Sequence, residues 1–361
     1  MAELLKNIYN SIYIEKLAAK LKKFHSSLNE KDFISSILSK DWPTLELKAR
    51  TNRITETLYS YLPKEFSTAT SILLQAAPEF GGYHGMFFPT YIERYGQNNF
   101  AASIKALEIL TVYSSAEFAV RPFIQSHPEK MMKVMLIWSK HKNEHIRRLA
   151  SEGCRPRLPW AMALPAFKKD PTLILPILEN LKNDPSEYVR RSVANNLNDI
   201  TKDNPKIVLE IASRWHGKNE NTNRLLKHAM RTMLKKGEPK ALKIFGLGKI
   251  KDLLLQQFKI ETPKINKGQT LLFSFLIQIK SKSPQTVRIE YCLYFLKKNG
   301  THNRKVFKIS EAPINETKEF QKSHSMKDIS TRKHHPGIHY VSLQINGIEQ
   351  EKIEFLLIHN K

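Results

Sequence analysis

Four prolines frame this sequence. Pro128, Pro171, Pro205 and Pro239 each follow a His, Asp, Asn or Glu, and each precedes an apolar run with helical periodicity. Proline suits the first position of a helix, where its missing N–H would find no partner in any case. The four therefore mark the starts of successive units, spaced by 43, 34 and 34 residues. Each unit has room for two helices, such as 171–182 with 185–200, and 205–216 with 221–236. A helix pair of this size cannot bury its apolar face alone and must stack on its neighbours, as in a HEAT-like α-helical solenoid. Upstream, Leu4, Ile8, Ile12, Ile14, Leu17 and Leu21 recur at helical steps. Asn29 and Glu30 mark a further helix start, another helix spans 45–62, and the glycines of 81–85 imply a loop.

Past Ile260 the period changes to two. Leu271, Phe273, Phe275, Ile277 and Ile279 alternate with smaller or polar residues, as do Val287, Ile289, Tyr291, Leu293 and Phe295, then Val341, Leu343 and Ile345. Turn signals separate the runs: Lys267-Gly268, Ser283-Pro284, Asn299-Gly300, Pro336-Gly337 and Asn346-Gly347. The pattern predicts a mainly α chain in two parts, a HEAT-like solenoid over 1–255 and an immunoglobulin-like β-sandwich over 256–361.

The one long repeat unit gains its extra residues at 155–169, directly after Glu152. An insertion carrying Pro, Arg and Trp at one repeat marks a modified binding face. On helical wheels, Ile146, Leu149, Ala150 and Gly153 form one inward stripe, and Val189, Val193, Leu197 and Ile200 form the matching one. Glu152, Asn195 and Asp199 then fall on the same flank, beside Arg148 and Arg191. Carboxylates repel phosphate, so on a polyanion-binding face they need a role, whereas on a scaffold they would pair with the arginines and fix the helices. Trp42, Trp138 and Trp215 have core settings. Trp160, in the insertion, is expected to be partly exposed and to suit a cationic aromatic ligand.

The net charge of +24 calls for an anionic partner, nucleic acid first. It is spread along the chain, with 18 basic against 9 acidic residues from Gln257 onward and 40 against 25 before it. Cys154 and Cys292 form no disulfide framework or metal-ligand spacing, and Cys154 reads as a buried small residue. The histidines, His334 and His335 included, show no ligand spacing and read as polar surface. No apolar run approaches the ~20 residues of a membrane span, and no signal-peptide layout opens the chain. The expectation is a soluble, cytoplasmic monomer without metal or cofactor.

Residues 151–161 (SEGCRPRLPWA), 190–200 (RRSVANNLNDI) and 229–242 (AMRTMLKKGEPKAL) resemble the AlkC-type DNA alkylation repair proteins of the HEAT-like-repeat glycosylase superfamily. The resemblance implies a monofunctional DNA glycosylase that removes cationic N-alkylated bases, 3-methyladenine and 3-methylcytosine, from double-stranded DNA. It implies Glu117, Glu152 and Asp199 as active-site carboxylates, with Trp160 lining the same site. Glu117 enters through the resemblance alone, since its wheel position is off the common flank. Phosphate contacts are expected from Arg148, Arg155, Arg157, Arg190, Arg191, Lys227 and Arg231, and from the 332–337 loop of the sandwich. The alternative is a non-enzymatic basic HEAT scaffold that binds nucleic acid or acidic protein.

Overall fold

Helices in this protein begin where the sequence supplies a partner for their first unbonded N–H groups. In the computed structural model, which describes residues 5–250, 252–280, 284–330 and 332–358, Asn10, Asn29, Glu65 and Asn143 each accept such N–H groups at the starts of Ser11–Phe24, Glu30–Ile37, Phe66–Ala76 and Glu144–Gly153. Each cap contributes about 1 kcal/mol. Leu4 of the first apolar series and Ser283 of one expected turn lie outside the described residues. The chain divides into two compact units, Met1–Ala229 and Met230–Lys361. The change from helix to strand comes later, near Leu253.

The first unit is helical. Pro128 and Pro205 open the helices Pro128–Trp138 and Pro205–Trp215, as their spacing predicts. Pro171 does not. Asp170 accepts bonds from the N–H and hydroxyl of Thr172, making a turn, and the helix starts only at Leu175. Pro176 has no N–H to give the carbonyl of Thr172, so a helix cannot run through from 171. The expected helix over 221–236 is likewise divided, into Glu220–Ala229 and, in the second unit, Arg231–Lys235. The loop expected at 81–85 contains a 3-10 turn, Gly82–Gly85.

Helices Glu144–Gly153 and Glu187–Ile200 pack side by side. Their stripes, Ile146, Leu149, Ala150 and Gly153 against Val189, Val193, Leu197 and Ile200, are buried as predicted. Each large aliphatic side chain so buried contributes about 1.5–3 kcal/mol. Polar bonds fix the register: the Ser151 and Ser192 hydroxyls meet at 2.7 Å, and Asn196 Nδ2 donates to the Ser151 carbonyl at 2.8 Å. Asn198 Nδ2 donates to the Ala229 carbonyl at 2.7 Å, tying in the next helix.

The second unit starts with helices Arg231–Lys235 and Pro239–Ile244 and continues as strands β1 (Leu253–Ile260), β2 (Lys264–Asn266), β3 (Thr270–Ile279), β4 (Gln285–Leu296), β5 (His302–Ile314), β6 (Lys318–Ser325), β7 (Gly337–Ile345) and β8 (Ile348–Ile358). One sheet has the order β1-β3-β6 and the other β2-β8-β7-β4-β5. Phe273 and Phe275 of the first share a core with Tyr291, Leu293, Val341 and Leu343 of the second. The β7–β8 turn is Asn346-Gly347, both at positive φ, where Asn and Gly are tolerated. Gly347 also faces Gly237 so closely that a Cβ on Gly237 would lie 2.5 Å from the Gly347 carbonyl oxygen. Among the described residues, no helix is long and apolar enough to cross a membrane.

Candidate active site

Three carboxylates and three cations alternate through the middle of the helical unit. Arg148 is ion-paired with Glu117 through Nη1 and lies 3.6 Å from Glu152 Oε1 through Nη2. Arg155 Nη1 stands 2.6 Å from the same Glu152 oxygen, and its Nε stands 2.9 Å from Asp199 Oδ2. Lys202 closes the series, 3.3 Å from Asp199 Oδ1. Glu152 and Asp199 are only 5% and 3% exposed, so each negative charge would be costly without these partners. Burial works against the charge on Arg155, but Glu152 and Asp199 more than offset it and raise its pKa above the ordinary guanidinium value.

The local sequence dictates this order. Arg148 and Glu152 are four apart on one helix, and Arg155 follows Glu152 by three at the helix end, so both cations reach one carboxylate. Asp199 arrives from the neighbouring helix at the level of Arg155. Glu117 belongs to no helix. It lies in the turn before Val120–Ser126, which is why a helical wheel misplaces it. Ser115 holds that turn in place: its hydroxyl donates to Glu117 Oε2 at 2.9 Å and accepts from Arg148 Nη1 at 2.8 Å. The Tyr188 ring covers the Arg148 guanidinium at 5.1 Å.

Trp160 is 82% exposed. It sits in the left-handed region, φ 65°, where a bulky residue carries strain of about 1–2 kcal/mol. Leu164 N–H to the Pro156 carbonyl closes its loop at 3.1 Å. Arg121, fully buried, pins the loop from inside. Its Nε donates to the Met162 carbonyl at 2.7 Å, and its Nη1 donates to those of Gly153 and Arg155 at 2.8 and 2.9 Å. Burial drops the Arg121 pKa to about 10.

The arginines expected to meet phosphate are placed differently from one another. Arg155 is 7% exposed and engaged by carboxylates on both sides, so the expectation that it grips phosphate is corrected: its charge serves Glu152 and Asp199. Arg148 is committed in the same way. Arg157 forms a two-pronged pair with Asp203, at 3.0 and 2.7 Å. Arg190 Nη1 donates to the carbonyls of Asp184 and Pro185, at 2.6 and 2.8 Å. Arg191 is exposed and paired with Glu187 at 3.2 Å. Lys227 is half-exposed in the first unit, and Arg231 is half-exposed in the second.

Ser115, Arg121, Tyr188 and Lys202 were not singled out from sequence. Arg121 alone left a signal there, as a lone cation in an apolar helix. Trp42, Trp138 and Trp215 are buried as expected. Cys154 is buried too, its thiol pushed up to about 12 by burial. His334 is not surface but 3% exposed, and Arg332 of the same loop lies over the Phe295 ring at 4.3 Å. Among the described residues, no group of three or more His, Cys, Asp or Glu is arranged to hold a metal ion.

Two family models match parts of this chain: the DNA alkylation repair enzyme over residues 104–233, and the C-terminal Ig-like domain of the uncharacterised protein YhaZ over 254–359. The chain is 47% identical over 353 residues to the uncharacterized protein YhaZ of Bacillus subtilis (strain 168), covering 97% of this chain and 98% of that protein. It is also similar, at 34% identity and a TM-score of 0.95, to the Pseudomonas fluorescens alkylpurine DNA glycosylase AlkC bound to DNA containing an abasic site analog, covering 99% of this chain and 100% of that one. The chain belongs to the AlkC-type family of DNA alkylation repair enzymes, with a C-terminal Ig-like domain.

Proposed function

We propose that this protein is a monofunctional DNA glycosylase that hydrolyses the N-glycosidic bond of cationic N-alkylated bases, 3-methyladenine and 3-methylcytosine, in double-stranded DNA. The observation that carries the reading is the alternation of Glu117, Arg148, Glu152, Arg155, Asp199 and Lys202, with Glu152, Arg155 and Asp199 buried at its centre. An N3-alkylated base leaves readily. The C1′–N bond breaks, its electron pair goes to the base, and the cationic base departs neutral. The protein's task is then to stabilise positive charge on the sugar and to orient water. Carboxylates supply both: one beside C1′ stabilises the oxocarbenium-like sugar, and another receives a proton from the water whose oxygen bonds to C1′. We assign these roles to Glu117, Glu152 and Asp199, with Arg148 and Arg155 holding the carboxylates in register.

In this reading the stacked helix pairs form a HEAT-like solenoid whose basic side receives the duplex, and the two sheets form an immunoglobulin-like β-sandwich that assists. Arg157, Arg190, Arg191 and Lys227 contact phosphate from the helical unit, and Arg231 and the 332–337 loop from the other. Trp160 lines the same site. The enzyme acts as a cytoplasmic monomer without cofactor. The scaffold reading draws on the same ion pairs, treating them as structural only. Asp199→Asn separates the two, because a glycosylase keeps its duplex affinity and loses base release, whereas a scaffold has no release to lose.

A further inference from the structure

A cavity of about 500 Å³ lies beside the Glu117 end of the charge series. Phe118, next to Glu117, lines it, and so does Tyr83, whose hydroxyl is shifted upward by burial and then by the Glu117 charge. Trp160 adds a second large aromatic face, Thr51 and Asn52 add small polar groups, and Glu93 adds a carboxylate. Glu93 differs from the three carboxylates of the charge series. It is half-buried, and no described side chain donates a hydrogen bond to its carboxylate or pairs with it. Burial raises its pKa, against the lowering influence of Arg94 and Lys48. A desolvated carboxyl group facing a cavity has an unmet need for a donor. Trp160 is held there, despite its strained backbone, by a loop that Arg121 anchors at the Met162 carbonyl.

We propose that this cavity binds the neutral N-alkylated adenine released by the reaction, with the ring stacked on its aromatic walls and the ring amine donating to Glu93. The volume lies within the range of small-ligand pockets, about 300–1,000 Å³. A flat purine gains about 1–3 kcal/mol from stacking on an aromatic side chain. The edge of adenine offers a donor beside an acceptor, a pattern that a carboxyl or amide group can match. Lys48 and Arg94 also border the cavity, Arg94 paired with Glu56 at 2.8 Å, so Lys48 offsets Glu93 and no surplus negative charge is left to hold the permanent cation that the base carries while still joined to sugar. The site thus takes the product rather than the attached lesion. This inference rests on the glycosylase reading above.

The test is equilibrium dialysis of labelled 3-methyladenine against the full-length protein without DNA, alongside 3,9-dimethyladeninium as a model of the attached, cationic base. The expected result is saturable binding of 3-methyladenine with Kd below about 1 mM, at least about fivefold tighter than the cation. Glu93→Ala, and separately Asn52→Trp, which fills the cavity, should each weaken it by at least about fivefold. No saturable binding, equal binding of the cation, or smaller losses in both variants would overturn the proposal. Base release from an alkylated duplex, measured in parallel, keeps the two readings apart. Release without 3-methyladenine binding leaves the glycosylase standing and removes the product site. Binding without release removes the glycosylase, and with it the identity of the ligand as product.

Discussion

Replacing Arg155 with methionine is the sharpest perturbation of the charge series. It keeps most of the side-chain volume and removes the one cation shared by Glu152 and Asp199. Among the described residues, Glu152 then retains only Arg148 at 3.6 Å, and Asp199 only Lys202, itself 44% exposed, at 3.3 Å. Both carboxylates stay buried, so the loss resembles the breaking of a buried ion pair, which costs about 3–5 kcal/mol. At about 2–4 °C per kcal/mol for a unit of this size, Tm should fall by roughly 6–20 °C in differential scanning calorimetry. Adding Glu152→Gln and Asp199→Asn to Arg155→Met removes the uncompensated charges and should restore most of the loss, whereas either amide variant in the native background should not stabilise. The reasoning fails if Arg155→Met alone melts within about 1 kcal/mol of the native protein.

Gly153→Ala would place a Cβ 2.5 Å from Val120 Cγ2 and 3.2 Å from Met135 Cε. The β-branched Val120 cannot swing away, so chemical denaturation should show a loss of about 1–3 kcal/mol, and a gain would contradict the packing described. His324 is held at a pKa of about 4, against 6.5 unfolded, first by burial and then by Arg332 and His334. A folded pKa below the unfolded one means that the unfolded chain binds more protons between those values, so stability is complete above pH 6.5 and declines as pH falls toward 4. After screening by solvent the decline is about 2 kcal/mol or less; His324→Asn should flatten it in Tm measured against pH, and an unchanged slope would refute the assignment. Arg191→Glu, at an exposed position, should leave Tm within about 0.5 kcal/mol of native but weaken duplex binding and lower the salt slope by about 1. An unchanged salt dependence would remove Arg191 from the phosphate contacts.

The parts of the fold that follow from local rules were legible in the sequence. The 3.6-residue stripes of 144–153 and 187–200, the cap at Asn29, the three N1 prolines Pro128, Pro205 and Pro239, and the Asn346-Gly347 turn all depend on a few adjacent residues. Pro171 misled because a side-chain turn at Asp170 and a second proline at 176 compete with helix start. β1 begins at Leu253, before the expected change of period, because its alternation leaves Leu254 exposed and so hides in a leucine run.

At the site, Glu152 and Asp199 were placed correctly on neighbouring helices, but as flank residues rather than buried ones. Burial follows from how closely the helices stack, which a wheel does not encode. Glu117 and its Ser115 tether depend on a turn, and Arg155 on a chain reversal after Gly153, so their meeting with Arg148 and Asp199 is tertiary. The same holds for His334. Its polar neighbours suggest surface, yet it packs against the Phe295 ring.

The central claim is that the buried carboxylates act on the glycosidic bond, and the direct measurement is base release from a duplex carrying a single 3-methylcytosine, for the native protein and Asp199→Asn. The account predicts abasic sites from the native protein, revealed by alkali or heat cleavage, and a loss of at least about 100-fold with Asp199→Asn at unchanged duplex affinity. Equal duplex binding by both proteins with no base released by either would contradict it and leave the helical unit a scaffold.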